Sequence, residues 1–306
     1  MIDQSIKKNN LSYFDSVSEL TKAFGTSQPL HPLIVLFNHD TIASGSEVQQ
    51  LVTNFYMLSY KSNLKGKLKY GQGYYDFDEG GLIFVAPNQA LSVVDGNDRC
   101  EGMSLFFHPD FLLSYPLGKT ISKYGFFSYN INEALHLSER EKKKIISIFE
   151  DIKQELDASI DDVSQDLIVS YLEVLLNYSN RFYKRQFITR KVINHTIIGK
   201  FEALLSEYFN DEISLNKGLP SVKYFSDQLL LSSNYLSDLL RNYTGMNTQQ
   251  HIHLKLIDKA KEKLTSTDLS ISEIAYDLGF EHPQSFNKLF KAKTKQSPLQ
   301  YRQSLN

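Results

Sequence analysis

Gln284, Asn287, Lys288, Lys291 and Lys295 recur through PQSFNKLFKAKTK (283–295) at helical intervals, with no acid among them. On a wheel at about 100° per residue they gather on one side, opposite Phe286, Leu289 and Phe290. Amides offer paired donors and acceptors and lysines offer charge, a set suited to base edges and phosphates. A solvated helix face ordinarily mixes acids with bases. Fifty residues earlier, YLSDLLRNYTGMNT (235–248) aligns with SFNKLFKAKTKQSP (285–298). There Leu236, Leu239, Leu240 and Tyr243 face one way, and Asn234, Ser237, Asp238 and Arg241 the other.

The elements that position these faces are legible upstream of each. FSDQLLLSSN matches IAYDLGFEHPQ if the second copy has one extra residue in its turn, so two helix–turn–helix units are predicted. In the second, Ser270 and Glu273 form a capping box, with Leu269 and Ile274 placed as a hydrophobic staple. Gly279 suits the left-handed residue that ends a helix, and Phe280 drops into the core at the turn. His282 stands at the N-cap and Pro283 at the first helical position. Between the copies, Ile252, Leu256, Ala260 and Leu264 repeat every fourth residue. A rigid helix there could hold two reading helices about 34 Å apart, one turn of DNA.

These residues resemble the DNA-binding domain of AraC/XylS-family transcription regulators. The carrying stretches are ISEIAYDLGF (271–280), SFNKLFK (285–291) and SPLQYR (297–302), with SSNYLSDLLRNYTG (232–245) and KLIDKAKEKL (255–264) in support. The resemblance spans about 100 residues, counted over those stretches and the chain between them. It implies base readers Ser233, Asn234, Ser237 and Asp238 in the first copy and Pro283, Gln284, Asn287 and Lys288 in the second. Arg241, Asn242 and Lys291 would approach phosphates. Three residues depart from the family pattern. Lys255 stands where arginine is usual. Lys295 replaces the glycine that the first copy has as Gly245, which predicts a strained or differently shaped helix end. Asp238 stands where a base is common, as a specificity residue or as the mark of a weakly binding first copy.

The chain of 306 residues is long enough for two domains, and its net charge of −2 is unevenly placed. From Ile213 onward there are 12 Lys/Arg and 8 Asp/Glu, a balance of +4; the totals of 33 and 35 leave 21 and 27 before it, or −6. A basic tail on an acidic body is compatible with nucleic-acid binding. The start lacks an apolar signal region, no run of about 18 apolar residues occurs, and Cys100 is the single cysteine. A cytoplasmic protein without a disulfide or membrane partner is expected.

The first 130 residues read as strand-rich, in LIVLF (33–37), NFYMLSYK (54–61), GKLKYG (66–71), GLIFVAP (81–87) and MSLFFHP (103–109), with GQGYYDFDEGG (71–81) as a hairpin. A capped helix follows from Ser138 and Glu141, then a second from about Val163 to Tyr183; the short DASIDD between them favours an antiparallel pair. RQFITRK (185–191) reads as a boundary, a further helix runs from about Asn194 to Phe209, and 210–220 as a polar loop. GLIFVAPNQ (81–89) resembles part of a cupin motif, and the family resemblance implies a cupin-like regulatory half. The expected class is therefore α+β: a cupin-like antiparallel β-barrel sensor over 1–137, a helical pair over 138–185 that could form a dimer seam, and an all-α DNA-binding domain of two helix–turn–helix units over 192–306.

No catalytic constellation is expected. Residues 31–137 contain no H-x-H, so neither a metal nor another cofactor is assigned. In FFHPDFL (106–112), Pro109 ends a strand and Asp110 caps a turn, which leaves His108 and Asp110 structural. His251 and His253, two apart on a helix, point in different directions and are expected at the surface or against phosphates. Tyr56, Tyr60, Tyr70, Tyr74 and Tyr75 could line a pocket, without a choice among them. The expectation is a non-enzymatic regulator whose partners are double-stranded DNA, a second copy of itself, a small-molecule effector and RNA polymerase. Its competitors are a cupin-type metalloenzyme with a helical appendage and a homodimeric regulator without an effector.

Overall fold

A computed structural model of the chain describes residues 11–42, 50–62, 64–70, 73–77, 80–92, 101–130, 133–158, 161, 163–210, 214 and 217–304. Cys100 and residues 211–213, 215 and 216 of the 210–220 loop lie outside these. Two compact units are present, Met1–Gln186 and Phe187–Asn306.

The first unit begins with β1 (Leu11–Phe14) and α1 (Val17–Ala23). The strands β2 (Ile34–Asn38), β3 (Gln50–Thr53), β4 (Tyr56–Lys61), β5 (Leu64–Tyr70), β6 (Gly73–Phe77), β7 (Gly81–Val85), β8 (Leu91–Ser92), β9 (Gly102–Phe107) and β10 (Leu135–His136) follow, with a short helix α2 (Pro116–Thr120) between the last two. All five expected runs are strands; β5 pairs with β6, Tyr70 with Gly73, so the segment 71–81 expected as a hairpin supplies only one of its two strands. Tyr70, Tyr74 and Tyr75 fall on these two strands, of which only the backbone is described.

The expected closed barrel is not what forms. Among the described residues the strands pair as three separate sheets, in the orders β10-β7-β4-β9-β2, β1-β3-β8 and β5-β6. Nor is the pairing wholly antiparallel, because β1 lies parallel to β3. That strand, LSYF, is followed at once by α1, so the chain returns to its sheet through a crossover rather than a hairpin. The five-stranded sheet is covered on both faces, which is why β7 reads as an unbroken apolar run. Phe37, Met57, Ile83, Val85 and Phe106 pack with Val17, Leu20 and Phe24 of the α1 region. On the opposite face Phe84 meets Phe126 at 4.4 Å, and Tyr56 stacks on Phe107 at 5.3 Å.

After β9, His108 rather than Asp110 is the cap. Its Nδ1 accepts from the Asp110 N–H at 3.2 Å and opens a 3-10 turn at Pro109. The imidazole is the acceptor because Pro109 has no N–H to offer and the next free one belongs to Asp110.

Two long helices, α3 (Glu139–Asp157) and α4 (Ser164–Thr189), form the antiparallel pair. Glu141 Oε2 accepts from the Ser138 N–H at 2.9 Å, as the capping box requires. Arg185, near the end of α4, donates to Glu141 at 3.1 and 2.6 Å and to the His136 carbonyl at 2.7 Å. The end of one helix thus meets the start of the other. Ile168, Leu172, Leu175 and Leu176 are buried, whereas Leu167 and Val174 are each 41% exposed.

The RQFITRK segment is mostly helix. It holds no glycine or proline to stop α4, which runs six residues past its expected end. The Phe187 carbonyl, in the last turn, accepts from the Asn194 side chain at 2.7 Å and from the Tyr243 hydroxyl at 2.6 Å. These side chains satisfy a backbone acceptor that the ending helix leaves over.

The second unit is helical: α5 (Lys191–Asn210), α6 (Val222–Gln228), α7 (Ser233–Thr244), α8 (Thr248–Ser266), α9 (Ile271–Asp277), α10 (Pro283–Thr294) and α11 (Pro298–Gln303). The apolar stripe of α8 is buried as its spacing predicts, Ile252, Leu256, Ala260 and Leu264 all being at most 2% exposed. No helix among the described residues is long and apolar enough to cross a membrane.

Candidate nucleic-acid interface

The two helix–turn–helix units share their helix lengths and the bonds that close the turn and the far end. Helices α7 and α10 are twelve residues each at an offset of 50; α6 and α9 are seven each at an offset of 49. The missing residue is in the first turn, as the alignment predicts. Leu231 N–H donates to the Ser226 carbonyl at 2.9 Å, and Phe280 N–H to Ala275 at 3.0 Å. At the far end Thr244 donates to the Leu240 carbonyl and Thr294 to Phe290, both at 2.8 Å. Serines begin both first helices: Ser221 Oγ accepts from Tyr224 N–H and Ser270 Oγ from Glu273 N–H. Glu273 returns the bond to the Ser270 N–H at 2.7 Å.

Each copy holds two left-handed residues, and the glycines are exchanged between them. In the turn, copy one has Leu230 at φ 57° and copy two Gly279 at φ 92°. At the end of the reading helix, copy one has Gly245 at φ 77° and copy two Lys295 at φ 67°. The Lys295 cap is therefore not differently shaped; the same geometry is imposed on a residue with a Cβ, at a cost of about 1 kcal/mol. A Cβ on Gly279 would lie 2.7 Å from the Gly218 carbonyl carbon, so glycine is required there by close approach as well.

Helix α10 is anchored by Phe286 and Phe290, both fully buried against α8 and α9 residues such as Leu256 and Ile274. Truncating either to alanine costs about 3–5 kcal/mol. His282 occupies the N-cap position, but its side chain makes no capping bond. Pro283 is half-buried, while Gln284, Asn287, Lys288 and Lys291 are exposed along one face, with Lys295 just past its end. Lys293 is exposed too, but it stands seven residues on from Phe286, away from that face, and its charge acts on His253 of α8.

The face of α7 is different. Asn234, Arg241 and Asn242 are exposed. Ser233 Oγ lies 2.9 Å from Ser226 Oγ, and Ser237 Oγ lies 3.0 Å from Thr248 Oγ1. Asp238 is ion-paired to Arg241 at 2.8 Å. Three of its four expected readers are thus engaged within the protein, by partners that spacing alone did not show.

On α8, His251 and His253 are half-buried and make separate contacts. His251 Nε2 lies 2.7 Å from Thr244 Oγ1, and His253 Nε2 lies 2.9 Å from Gln249 Nε2. Burial holds both imidazoles below their ordinary range; Glu202 opposes the shift at His251, and Lys293 adds to it at His253. Among the described residues no group of three or more His, Cys, Asp or Glu is placed to hold a metal ion.

Residues 225–304 match the family described as a helix-turn-helix domain. An uncharacterized HTH-type transcriptional regulator of Staphylococcus aureus strain MSSA476 is 28% identical over 138 residues, 45% of this chain and 17% of that protein. The transcriptional activator RhaS of an Enterobacter species is 29% identical over 110 residues, 36% of this chain and 37% of its own length. The chain thus spans well under half the length of these relatives. Among solved structures, the carboxy-terminal domain of the response regulator yesN from Fusobacterium nucleatum is 31% identical, covering 34% of this chain and 95% of that one, at a TM-score of 0.31. The carboxy-terminal part of the chain is a helix-turn-helix domain of the AraC/XylS type.

Proposed function

We propose that the chain is a sequence-specific transcription regulator that binds double-stranded DNA through its second unit. The observation that carries this is the face of α10, where exposed amides and lysines stand together without an acid between residues 283 and 295. Pro283, Gln284, Asn287 and Lys288 are its proposed base readers, and Lys291 approaches phosphate. On α7, Ser233, Asn234, Ser237 and Asp238 are the corresponding readers, with Arg241 and Asn242 at the backbone. Helix α8, 19 residues and so about 28 Å long, is the spacer that holds the two apart.

Fluorescence anisotropy of labelled promoter duplexes at rising salt tests this. Binding that weakens linearly in log–log form supports phosphate-driven association, and a flat response contradicts it.

The first unit is proposed to act as the sensor for a small effector. A cavity of about 150 Å³, lined by residues including Thr21, Gln28, His31, Phe37 and Leu156, offers polar and apolar groups together. A second copy is proposed to dock on α4, where Leu167 and Val174 remain exposed. Dimers in sedimentation that dissociate on Leu167→Glu support that seam; unchanged dimers contradict it.

A further inference from the structure

The two reading helices carry the same backbone and opposite chemistry at one position. Asp238 on α7 corresponds, fifty residues on, to Lys288 on α10, and Arg241 corresponds to Lys291. Arg241 Nη1 donates to Asp238 Oδ1 at 2.8 Å across one helical turn, with the two side chains 55% and 29% exposed. The outward charge of α7 therefore cancels, whereas α10 presents Lys288 and Lys291, with Lys295 just past its end, and has no acid of its own to cancel them.

We infer that Asp238 makes the two copies unequal partners on DNA: α10 supplies the affinity, and α7 acts as a filter that refuses most sequences. This rests on the regulator reading above. A carboxylate has acceptors only. In the major groove, the donors that could meet it are cytosine N4 and adenine N6, while guanine presents two acceptors. Where a donor stands opposite, Asp238 accepts from it and releases Arg241 to a phosphate. Elsewhere the carboxylate faces acceptors or phosphate oxygens, and Arg241 stays paired to it. An exposed pair of this kind is weakly held in the free protein, so a matching site can open it. Ser233 and Ser237, bonded to Ser226 and Thr248, add little attraction of their own on random sequence.

The test uses the full chain and four proteins: wild type, Asp238→Asn, Arg241→Gln and the double variant. Each is titrated against a random-sequence duplex over a range of salt. Asp238→Asn should tighten random-duplex binding by about threefold or more and steepen the log–log salt slope by about one, the signature of one freed cation. Arg241→Gln leaves the Asp238 carboxylate uncancelled and should weaken random-duplex binding, whereas the double variant, neutral again at this position, should return to about the wild-type affinity and slope. Sites selected by wild type from random duplexes should include one position enriched in cytosine or adenine that loses its enrichment in Asp238→Asn.

Thermal unfolding by circular dichroism confirms that each variant is folded. Wild type that binds with a salt slope, beside an Asp238→Asn that matches it in affinity and slope, overturns the inference alone. So does a double variant that keeps the gain of Asp238→Asn, or a selected position that does not change. A folded wild type with no salt-dependent binding overturns the regulator reading and this inference with it.

Discussion

Leu230 and Gly279 occupy the same left-handed place in the turns of the two helix–turn–helix units, at φ 57° and 92°, yet they tolerate exchange in opposite directions. Leu230 is 55% exposed, so its side chain gains little from packing while its backbone bears the strain of a Cβ. Leu230→Gly should therefore stabilise the protein by up to about 1 kcal/mol, less the greater freedom glycine gives the unfolded chain. Gly279→Ala should cost more than that, because the new Cβ would press on the Gly218 backbone as well. Denaturant midpoints of the two variants check both signs.

The same logic applies at the other end of the reading helices. Lys295, left-handed at φ 67° and exposed, should yield up to about 1 kcal/mol of stability on change to glycine. A midpoint that falls instead would show that the lysine side chain contributes more than its backbone costs.

How much of this was legible beforehand divides along physical lines. The repeat, the extra turn residue and the anchoring phenylalanines were visible because a helix buries residues three and four apart within its own length. The glycine at 279 announced one left-handed turn. Nothing about a leucine announced the other at 230, which is visible only by aligning the copies and asking what replaces that glycine. Strand runs such as GLIFV were visible by their apolar content, but β1, β8 and β10 are four residues or fewer and are defined by their partners. Sheet closure depends on those same partners, so a barrel expected from strand spacing became separate sheets. At the candidate interface the residue types on α10 were legible, whereas the partners that engage Ser233 and Ser237 lie on other helices.

In the first unit, Arg185 joins α4 to α3 and to the His136 carbonyl through a forked set of charge-assisted bonds. Arg185→Ala should destabilise the protein by about 2 kcal/mol, leaving the 14%-exposed Glu141 carboxylate without its cation. Arg185→Lys should recover only part of this, since an ammonium cannot make the planar fork. Chemical denaturation of the three proteins measures the order.

His251 packs against the Phe201 ring at 5.8 Å, and burial holds its imidazole below the ordinary value. Unfolding releases it to take up a proton at higher pH than the folded form does. The stability it contributes is therefore complete above about pH 6.5, the unfolded value, and is lost as pH falls through the folded one. His253 is shifted in the same direction and adds to the effect. Thermal midpoints of wild type should fall more steeply between about pH 7 and 5 than those of a His251→Gln, His253→Gln protein.

The claim that the face of α10 reads sequence is tested most directly at Asn287, whose exposed amide stands between the two buried phenylalanines. Binding of wild type and Asn287→Ala should be compared across a set of duplexes that vary one base pair at a time through the bound site. The account predicts that the variant loses about 1–3 kcal/mol of discrimination at one or two adjacent base pairs and keeps the wild-type preference elsewhere. A loss of affinity equal for every sequence would contradict it, and would place Asn287 off the base edges.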